Sequence, residues 1–213
     1  MAIARRMRRD SRLIDAIEEM VPVEYSGTVW RVVRQGRSPI QCSSSGGRWD
    51  DGTFDVLYTS QEREGALSEM RFHLTRGQPV IPSRVRYNLF EIDLALDRTL
   101  RLLDLAALQT LGLDTARYGQ LSCQEKHAEY PRSQDIGEAA HFLDYDGLIA
   151  PSARYDCLNV VAFCDRLPAG AMTIRTDHGE IAWAAAAPLP SIPRTGDAAN
   201  GSGALTLPPS AEV

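Results

Sequence analysis

The sequence predicts an α+β fold in a single domain. Segments with helical periodicity are mixed with short runs rich in β-branched and aromatic residues, and turn signals join several of these runs without regular strand–helix–strand units. The chain of 213 residues has the length of one ordinary domain, and its 44% hydrophobic and 24% charged residues are typical of a globular protein. A doubly wound parallel sheet is therefore disfavoured.

Residues 1–26 are predicted to form a basic arm followed by a helix. Ser11 is a suitable N-cap, and Pro22 marks the end of the helix. The apolar residues between them recur at helical spacing: Leu13, Ile14, Ile17 and Met20. The arm itself contains Arg5, Arg6, Arg8 and Arg9.

The main domain is predicted over residues 27–186. A strand over 28–33 precedes a Ser- and Gly-rich loop over 35–47, which is long enough to line a site. A second strand over 54–59 then leads into a helix over 62–74. Its core stripe consists of Leu67, Met70 and Leu74.

The middle of the chain alternates apolar and polar residues over 83–96. The alternation changes parity near Phe90, which predicts a bulge or bend in a long strand. Asp97-Arg98 is interpreted as a turn into residues 99–103, giving a hairpin. Asp104 can cap a short helix that Gly112 ends.

The last part of the domain contains one more helix and the closing strands. The helix is expected to begin near Pro131 and to stop near Gly147. Strands are predicted over 148–150, 159–164, 172–175 and 179–183. His178-Gly179 is predicted to be the hairpin turn between the last two. Residues 187–213, rich in Pro, Gly, Ser and Ala, are predicted to be a disordered tail.

Charge and composition restrict the possible partners and compartment. The formal net charge of −5 argues against nucleic acid as a direct partner, because duplex-binding proteins usually present a dominant basic face. The longest apolar run, residues 181–189, is too short to span a bilayer, so no membrane partner is expected. No secretory signal is evident, so a cytoplasmic protein is expected.

The cysteine and histidine residues give no support for a metal site. Cys42, Cys123, Cys157 and Cys164 form no CxxC pair, and the four histidines lie far from one another in sequence. All four cysteines are therefore expected to be reduced, buried and apolar in character.

Glu69 and Arg31 are the first candidates for chemistry. Glu69 lies off the apolar stripe of its helix, so periodicity alone favours a solvated surface residue. Gly65 and Phe72, about one turn to either side, suggest an open face with an aromatic ring. Arg31 lies in the middle of a strand, where a guanidinium must pair either with a carboxylate such as Glu69 or with an anionic ligand.

A glycine-rich turn and two further residues complete the candidate set. Gly46-Gly47 before Arg48-Trp49 permits close approach of backbone to a ligand. Tyr58 offers a ring for stacking, although a core tyrosine is the simpler interpretation. Ser152 follows a predicted strand and either offers its hydroxyl to a ligand or serves only as a turn serine. No nucleophile elbow surrounds it, so it is not interpreted as a hydrolase nucleophile.

Taken together, these pieces resemble the RES-domain family. The resemblance covers roughly residues 27 to 165, and five pieces occur in the family's order and spacing. They are Arg31, the Gly46-Gly47-Arg48-Trp49 turn, Tyr58, Ala66-Leu67-Ser68-Glu69 and Gly147-Leu148-Ile149-Ala150-Pro151-Ser152-Ala153-Arg154, followed by Asn159-Val160-Val161-Ala162-Phe163. The Arg, Glu and Ser that give the family its name correspond to Arg31, Glu69 and Ser152.

The resemblance implies a compact domain related to the ADP-ribosyltransferase toxins. It also implies cleavage of NAD⁺ at the nicotinamide–ribose bond, with NAD⁺ as substrate, no separate cofactor and no metal. The implied partner is an Xre-type antitoxin, and a homo-oligomer remains open.

The resemblance also assigns roles to the candidate residues. Glu69 would stabilise the oxocarbenium-like ribose, and Arg31 with Arg48 would neutralise the pyrophosphate. Tyr58 would stack on the nicotinamide or ribose, Ser152 would orient the ribose or the attacking group, and Trp49 would line the nucleotide site.

The sequence leaves the acceptor of the ADP-ribosyl group open. Water gives a glycohydrolase, phosphate gives a phosphorylase, and a protein side chain gives an ADP-ribosyltransferase. The non-enzymatic alternative is a module that binds a nucleotide or an antitoxin without catalysing a reaction.

Overall fold

The computed structural model describes residues 9–75, 85–116, 118–119 and 126–183. The helices are α1 (Ser11–Glu18), α2 (Arg63–Thr75), α3 (Leu105–Thr110) and α4 (Lys126–Phe142). The strands are β1 (Val23–Arg34), β2 (Val56–Ser60), β3 (Tyr87–Arg101), β4 (Gly147–Pro151), β5 (Leu158–Phe163) and β6 (Met172–Glu180). A 3₁₀ turn, Cys164–Arg166, follows β5.

The strands form one sheet that closes on itself. Their order is β1-β2-β5-β4-β3-β6, and β1 also pairs along most of its length with β3. The strand β3 is long enough to pair with β6 over its first half and with β4 at its end. Only the β3–β4 pairing is parallel, and α3 and α4 lie in the connection between those strands. The mixed barrel confirms the α+β prediction.

The core lies on both faces of this sheet. The largest cluster joins α1, α3 and α4 to the sheet and contains Ile17, Trp49, Leu108, Ile136 and Phe163, all nearly inaccessible to solvent. A second cluster includes Phe90 and lies between β1, β3 and β5. A third packs α2 on β1 and β3 through Ala66, Leu67, Val32 and Leu89. Burying apolar surface on both faces of β3 explains why its alternation changes parity, because Leu89 and Phe90 belong to different clusters.

The ends of two helices differ from the prediction. Asp10, and not Ser11, caps α1, and its carboxylate accepts a hydrogen bond from the backbone of Arg12. Helix α4 begins at Lys126, so Pro131 lies inside its early turns and not before the first. Asp104 caps α3 as expected, accepting from the backbone of Ala107 at 2.7 Å.

The predicted turn at Asp97-Arg98 is wrong, because β3 continues through both residues. Their backbone N–H groups donate to the carboxylate of Asp146, which lies just before β4 and is almost fully buried. The side chain of a residue distant in sequence thus accepts the backbone hydrogen bonds of β3 near the point where its pairing with β4 begins.

The predicted turn at His178-Gly179 is also wrong. Both residues lie within β6, and Gly179 has a φ of 76°. The pairing of β6 with β3 shifts register between Asn88 and Phe90 and again between Glu91 and Ile92. These irregularities accommodate His178-Gly179 within the strand, so the chain does not reverse direction there.

The prediction that all cysteines are free thiols is wrong for two of them. Cys42 and Cys164 form a disulfide across 122 residues of sequence, whereas Cys157 is a free thiol. Sequence spacing gave no sign of this pair, because the closed sheet brings the 35–47 loop against the end of β5. Cys123, the arm residues Arg5, Arg6 and Arg8, and the predicted tail lie outside the described residues.

The described residues contain neither a membrane-crossing helix nor a metal-binding cluster. No helix in this part of the chain is long and apolar enough to cross a membrane. Within the same ranges, no group of three or more His, Cys, Asp or Glu side chains is arranged to hold a metal ion.

Candidate active site

A cavity of about 310 Å³ opens where β1, β2 and α2 meet the glycine-rich turn. Such a volume suits a small-molecule site. Five of the sequence-predicted residues line it: Arg31, Arg48, Trp49, Tyr58 and Glu69. The sixth, Ser152, is buried and reaches the cavity wall through its contact with Glu69.

The carboxylate of Glu69 is held by two donors, one from the residue that follows β4 and one from β5. The Ser152 hydroxyl donates to Oε1 of Glu69 at 2.8 Å, and Nδ2 of Asn159 donates to the same oxygen at 3.2 Å. The backbone N–H of Arg154 donates to the Ser152 oxygen at 3.2 Å, which fixes the hydroxyl. Glu69 is therefore a half-buried, oriented carboxylate and not the solvated surface residue that its helical position favours.

The open face expected around Gly65 is not present. A Cβ atom at this position would collide with Oγ of Ser60 and Sγ of Cys157. Gly65 is needed because α2 passes very close to the end of β2 and to the loop before β5. This close approach brings Glu69, one turn later, to the ends of β4 and β5.

Arg31 pairs with backbone carbonyls and not with Glu69. Its NH1 group donates to the carbonyl of Pro39 at 2.6 Å and to that of Gln41 at 3.0 Å. Within the described ranges, no carboxylate forms an ion pair with Arg31, and its Nε–H and NH2 donors have no protein acceptor. Burial lowers the pKa of Arg31 to about 10. The cavity wall thus carries a partly desolvated positive charge to which no residue in the described part of the chain supplies a counterion.

The glycine-rich turn is organised around the carboxylate of Asp50, which is fully buried. It accepts hydrogen bonds from the backbone of Gly46 and of Gly47, each at 2.7 Å, and from the Tyr58 hydroxyl at 2.9 Å. The Tyr58 oxygen also accepts from the backbone N–H of Trp49 at 2.8 Å. Burial and the nearby Asp50 raise the pKa of Tyr58 well above its usual value, so the phenol stays protonated.

Helix α4 supports the same turn from outside. Nε2 of Gln134 donates to the carbonyls of Gly47 and Asp50, at 2.8 and 3.0 Å. Gly137, one turn later, lies so close to the carbonyl of Trp49 that a Cβ atom would collide with it. Trp49 is itself 1% exposed, so it fills the core and presents little surface to a ligand.

Two further arginines at the cavity pack on aromatic rings. The guanidinium of Arg48 lies 4.5 Å from the ring centroid of Tyr118 and 5.0 Å from that of Tyr130. That of Arg154 lies 3.3 Å from the ring centroid of Phe72. These contacts hold both guanidinium groups at the cavity.

Sequence analysis did not single out Asn159 or Asp50 as site residues. Asn159 is a polar residue in an otherwise apolar strand, and Asp50 follows directly after the Gly-Gly-Arg-Trp turn. These local signals are weak, because the hydrogen bonds that give each residue its place depend on the fold.

Comparison with known families identifies the domain. A model of the RES domain matches residues 28–184, which include every residue of the site described in this subsection. The chain belongs to the RES-domain family. The search of curated proteins found no match to this RES-domain chain.

The fold is similar to a solved structure of 20% sequence identity. That structure is a chain of the M. tuberculosis MbcT–MbcA toxin–antitoxin complex. The TM-score is 0.67, and the alignment covers 81% of this chain and 93% of the other. The likeness supports the same fold for this RES-domain chain.

Proposed function

We propose that this chain is an enzyme that degrades NAD⁺ by cleaving the bond between nicotinamide and ribose. The observation that carries the proposal is that the walls of one cavity present both an oriented carboxylate, Glu69, and an arginine, Arg31, to which no described residue supplies a counterion. Cleavage of NAD⁺ is also the activity that the RES resemblance implies.

A single carboxylate suits this chemistry. Glu69 is the only acidic residue among the described residues that line the cavity. Ordinary glycosidases need two carboxyl groups, one of which protonates the leaving oxygen. In NAD⁺ the nicotinamide ring is already cationic. When the C1′–N bond breaks, its electron pair neutralises that ring, so the leaving group needs no proton.

The role of Glu69 follows from this charge distribution. As the bond breaks, positive charge develops on the ribose, and a carboxylate fixed beforehand stabilises it electrostatically. Ser152 and Asn159 both donate to Oε1 of Glu69, so Oε2 stays available for a ribose hydroxyl. The acceptor then forms a bond to C1′, and a protonated acceptor such as water releases its proton to solvent.

Arg31 suits the pyrophosphate of the same substrate. Its NH1 group is occupied by two carbonyls, which leaves the edge formed by Nε and NH2 for an anion. This edge can bind two phosphate oxygens in a bidentate manner. Arg48, fixed against Tyr118 and Tyr130, supplies a second cation for the same group.

We further propose that the enzyme is a toxin neutralised by a protein antitoxin. The support is RES-family membership and a fold shared with a chain of a toxin–antitoxin complex. An antitoxin of the Xre type that covers the cavity would prevent NAD⁺ from entering. Because NAD⁺ is an intracellular metabolite, the proposed place of action is the cytoplasm.

The test is NAD⁺ loss by the purified, antitoxin-free chain, with products identified by mass spectrometry in the presence and absence of phosphate. Nicotinamide with ADP-ribose supports hydrolysis, and nicotinamide with phosphate-dependent ADP-ribose-1″-phosphate supports phosphorolysis. ADP-ribose attached to a protein indicates a transferase. Intact NAD⁺ in every arm, from folded protein, would overturn the enzyme and leave a binding module.

A further inference from the structure

Asn159 lies where three elements of the site meet. It is the second residue of β5, and it pairs with Ala150 of β4 on one side and with Ser60 of β2 on the other. Ser152 follows Ala150 by two residues, and α2, which carries Glu69, begins shortly after Ser60. The side chain of Asn159 is half-buried and lines the cavity.

The hydrogen bonds of Asn159 define the direction of the Glu69 carboxylate. Its Nδ2 group, on β5, and the Ser152 hydroxyl, just after the neighbouring strand β4, converge on Oε1 of Glu69. One donor alone would let the carboxylate rotate about that bond. Two donors on the same oxygen restrict the plane of the group and leave Oε2 as the oxygen for substrate.

The amide oxygen of Asn159 forms no stabilising contact with the described residues. Its Oδ1 atom is buried and has no hydrogen-bond partner there. A buried acceptor without a partner is unfavourable for folding, and an apolar side chain would avoid that cost. Rotating the amide by 180° would not help, because it would turn Oδ1 towards the carboxylate of Glu69.

We infer that Asn159 is a positioning residue for the proposed NAD⁺ cleavage, which acts by orienting the carboxylate of Glu69. The inference rests on the proposed function. It requires that Asn159 affect the chemical step more than substrate binding or folding. Other charged or titratable groups line the same cavity: Arg31 on β1, Arg48 in the glycine-rich turn, Tyr58 on β2, His73 on α2, Tyr130 on α4 and Arg154 after β4. Cys157, just before β5, also lies near Glu69.

The test compares Asn159→Ala and Asn159→Asp with the wild type. Asn159→Ala should lower kcat by about 10- to 100-fold, as expected when a reacting group loses its alignment. It should leave KM for NAD⁺ nearly unchanged, and the melting temperature equal or higher, because the unpaired acceptor is gone. Asn159→Asp places a second negative charge against Glu69, so the acid limb of the kcat–pH profile should move to higher pH.

Asn88 provides a matched control. It lies on β3 away from the cavity, its Nδ2 also faces a carboxylate oxygen, of Asp177 at 3.5 Å, and its Oδ1 is also buried without a partner. The same two substitutions at Asn88 should leave kcat and the pH profile unchanged.

Each result decides the inference. An Asn159→Ala chain with wild-type kcat, or with a loss only in KM or in melting temperature, would overturn it. An unshifted acid limb in folded Asn159→Asp would do the same. Absence of turnover in the wild type would overturn the proposed function itself, and this inference with it.

Discussion

The hydroxyl of Ser152 donates a 2.8 Å hydrogen bond to Oε1 of Glu69, although 83 residues separate them in sequence. The contact exists because β4 ends beside β5, and because Gly65 lets α2 approach the end of β2 closely. It converts a helical glutamate into an oriented carboxylate within the cavity. The proposed chemistry depends on this pair together with the positive charge of Arg31.

Replacing Arg31 by Gln should weaken substrate binding. The change removes a positive charge that no described residue neutralises, and with it a bidentate edge for phosphate oxygens. Each lost charge-assisted bond is worth about 1.5 to 3 kcal/mol, so KM for NAD⁺ should rise by about 10- to 100-fold or more. Arg34→Gln, at the exposed end of the same strand, is the control and should leave KM unchanged. Equal KM values for the two variants would contradict the assignment of Arg31.

Replacing Tyr58 by Phe should destabilise the glycine-rich turn. The backbone N–H of Trp49 loses its acceptor, and Asp50 loses a donor while staying buried. The expected decrease in the free energy of unfolding is about 1 to 3 kcal/mol, measured by urea denaturation. Tyr155→Phe is the control, because no described residue hydrogen-bonds to its hydroxyl. A Tyr58→Phe chain as stable as this control would show that the network contributes little.

Replacing Gly137 by Ala should destabilise the chain, although alanine is the better helix former. Helix propensity alone would stabilise it by about 1 kcal/mol. The new methyl group would instead collide with the carbonyl of Trp49, a backbone atom that cannot turn away. Overpacking of this kind costs about 1 to 3 kcal/mol, so the melting temperature should fall. Asp135→Ala, at an exposed position of the same helix, should not lower it, and a rise for Gly137→Ala would contradict the close packing.

The Cys42–Cys164 disulfide should stabilise the oxidised chain. It closes a loop of 122 residues, and cross-links of this length contribute about 2 to 5 kcal/mol. Urea unfolding with and without a reducing agent measures the difference, which should vanish in Cys42→Ser. It should persist in Cys157→Ser, because Cys157 is a free thiol. No effect of reductant on the oxidised wild type would contradict the pairing.

The sequence predicts the elements better than their boundaries. Periodicity and β-branched content indicate α2, β2 and β5 closely. Prediction from sequence fails at Asp97-Arg98 and at His178-Gly179, where residues typical of turns lie within strands. In the first case the stabilising group is Asp146, about 50 residues away, and no local pattern can indicate it.

In the candidate site, too, the sequence predicts the identity of several residues but not the contacts between them. Arg31, Arg48, Tyr58 and Glu69 could be named from motif spacing, and the structure brings them to one cavity. The hydrogen bonds of Asp50, the role of the Tyr58 hydroxyl and the approach of Asn159 to Glu69 depend on pairings between distant strands. The disulfide is a similar case, since two cysteines far apart in sequence meet only after the sheet closes.

The most direct test of the proposed function is nicotinamide release from NAD⁺ by the wild type, Glu69→Gln and Glu62→Gln. Glu69→Gln keeps the size of the side chain but removes the charge that stabilises the ribose cation. Its turnover should fall by about 100- to 1,000-fold, with the melting temperature preserved. Glu62, exposed just before the same helix, should tolerate the change. An active wild type with an equally active Glu69→Gln variant would contradict the assigned mechanism.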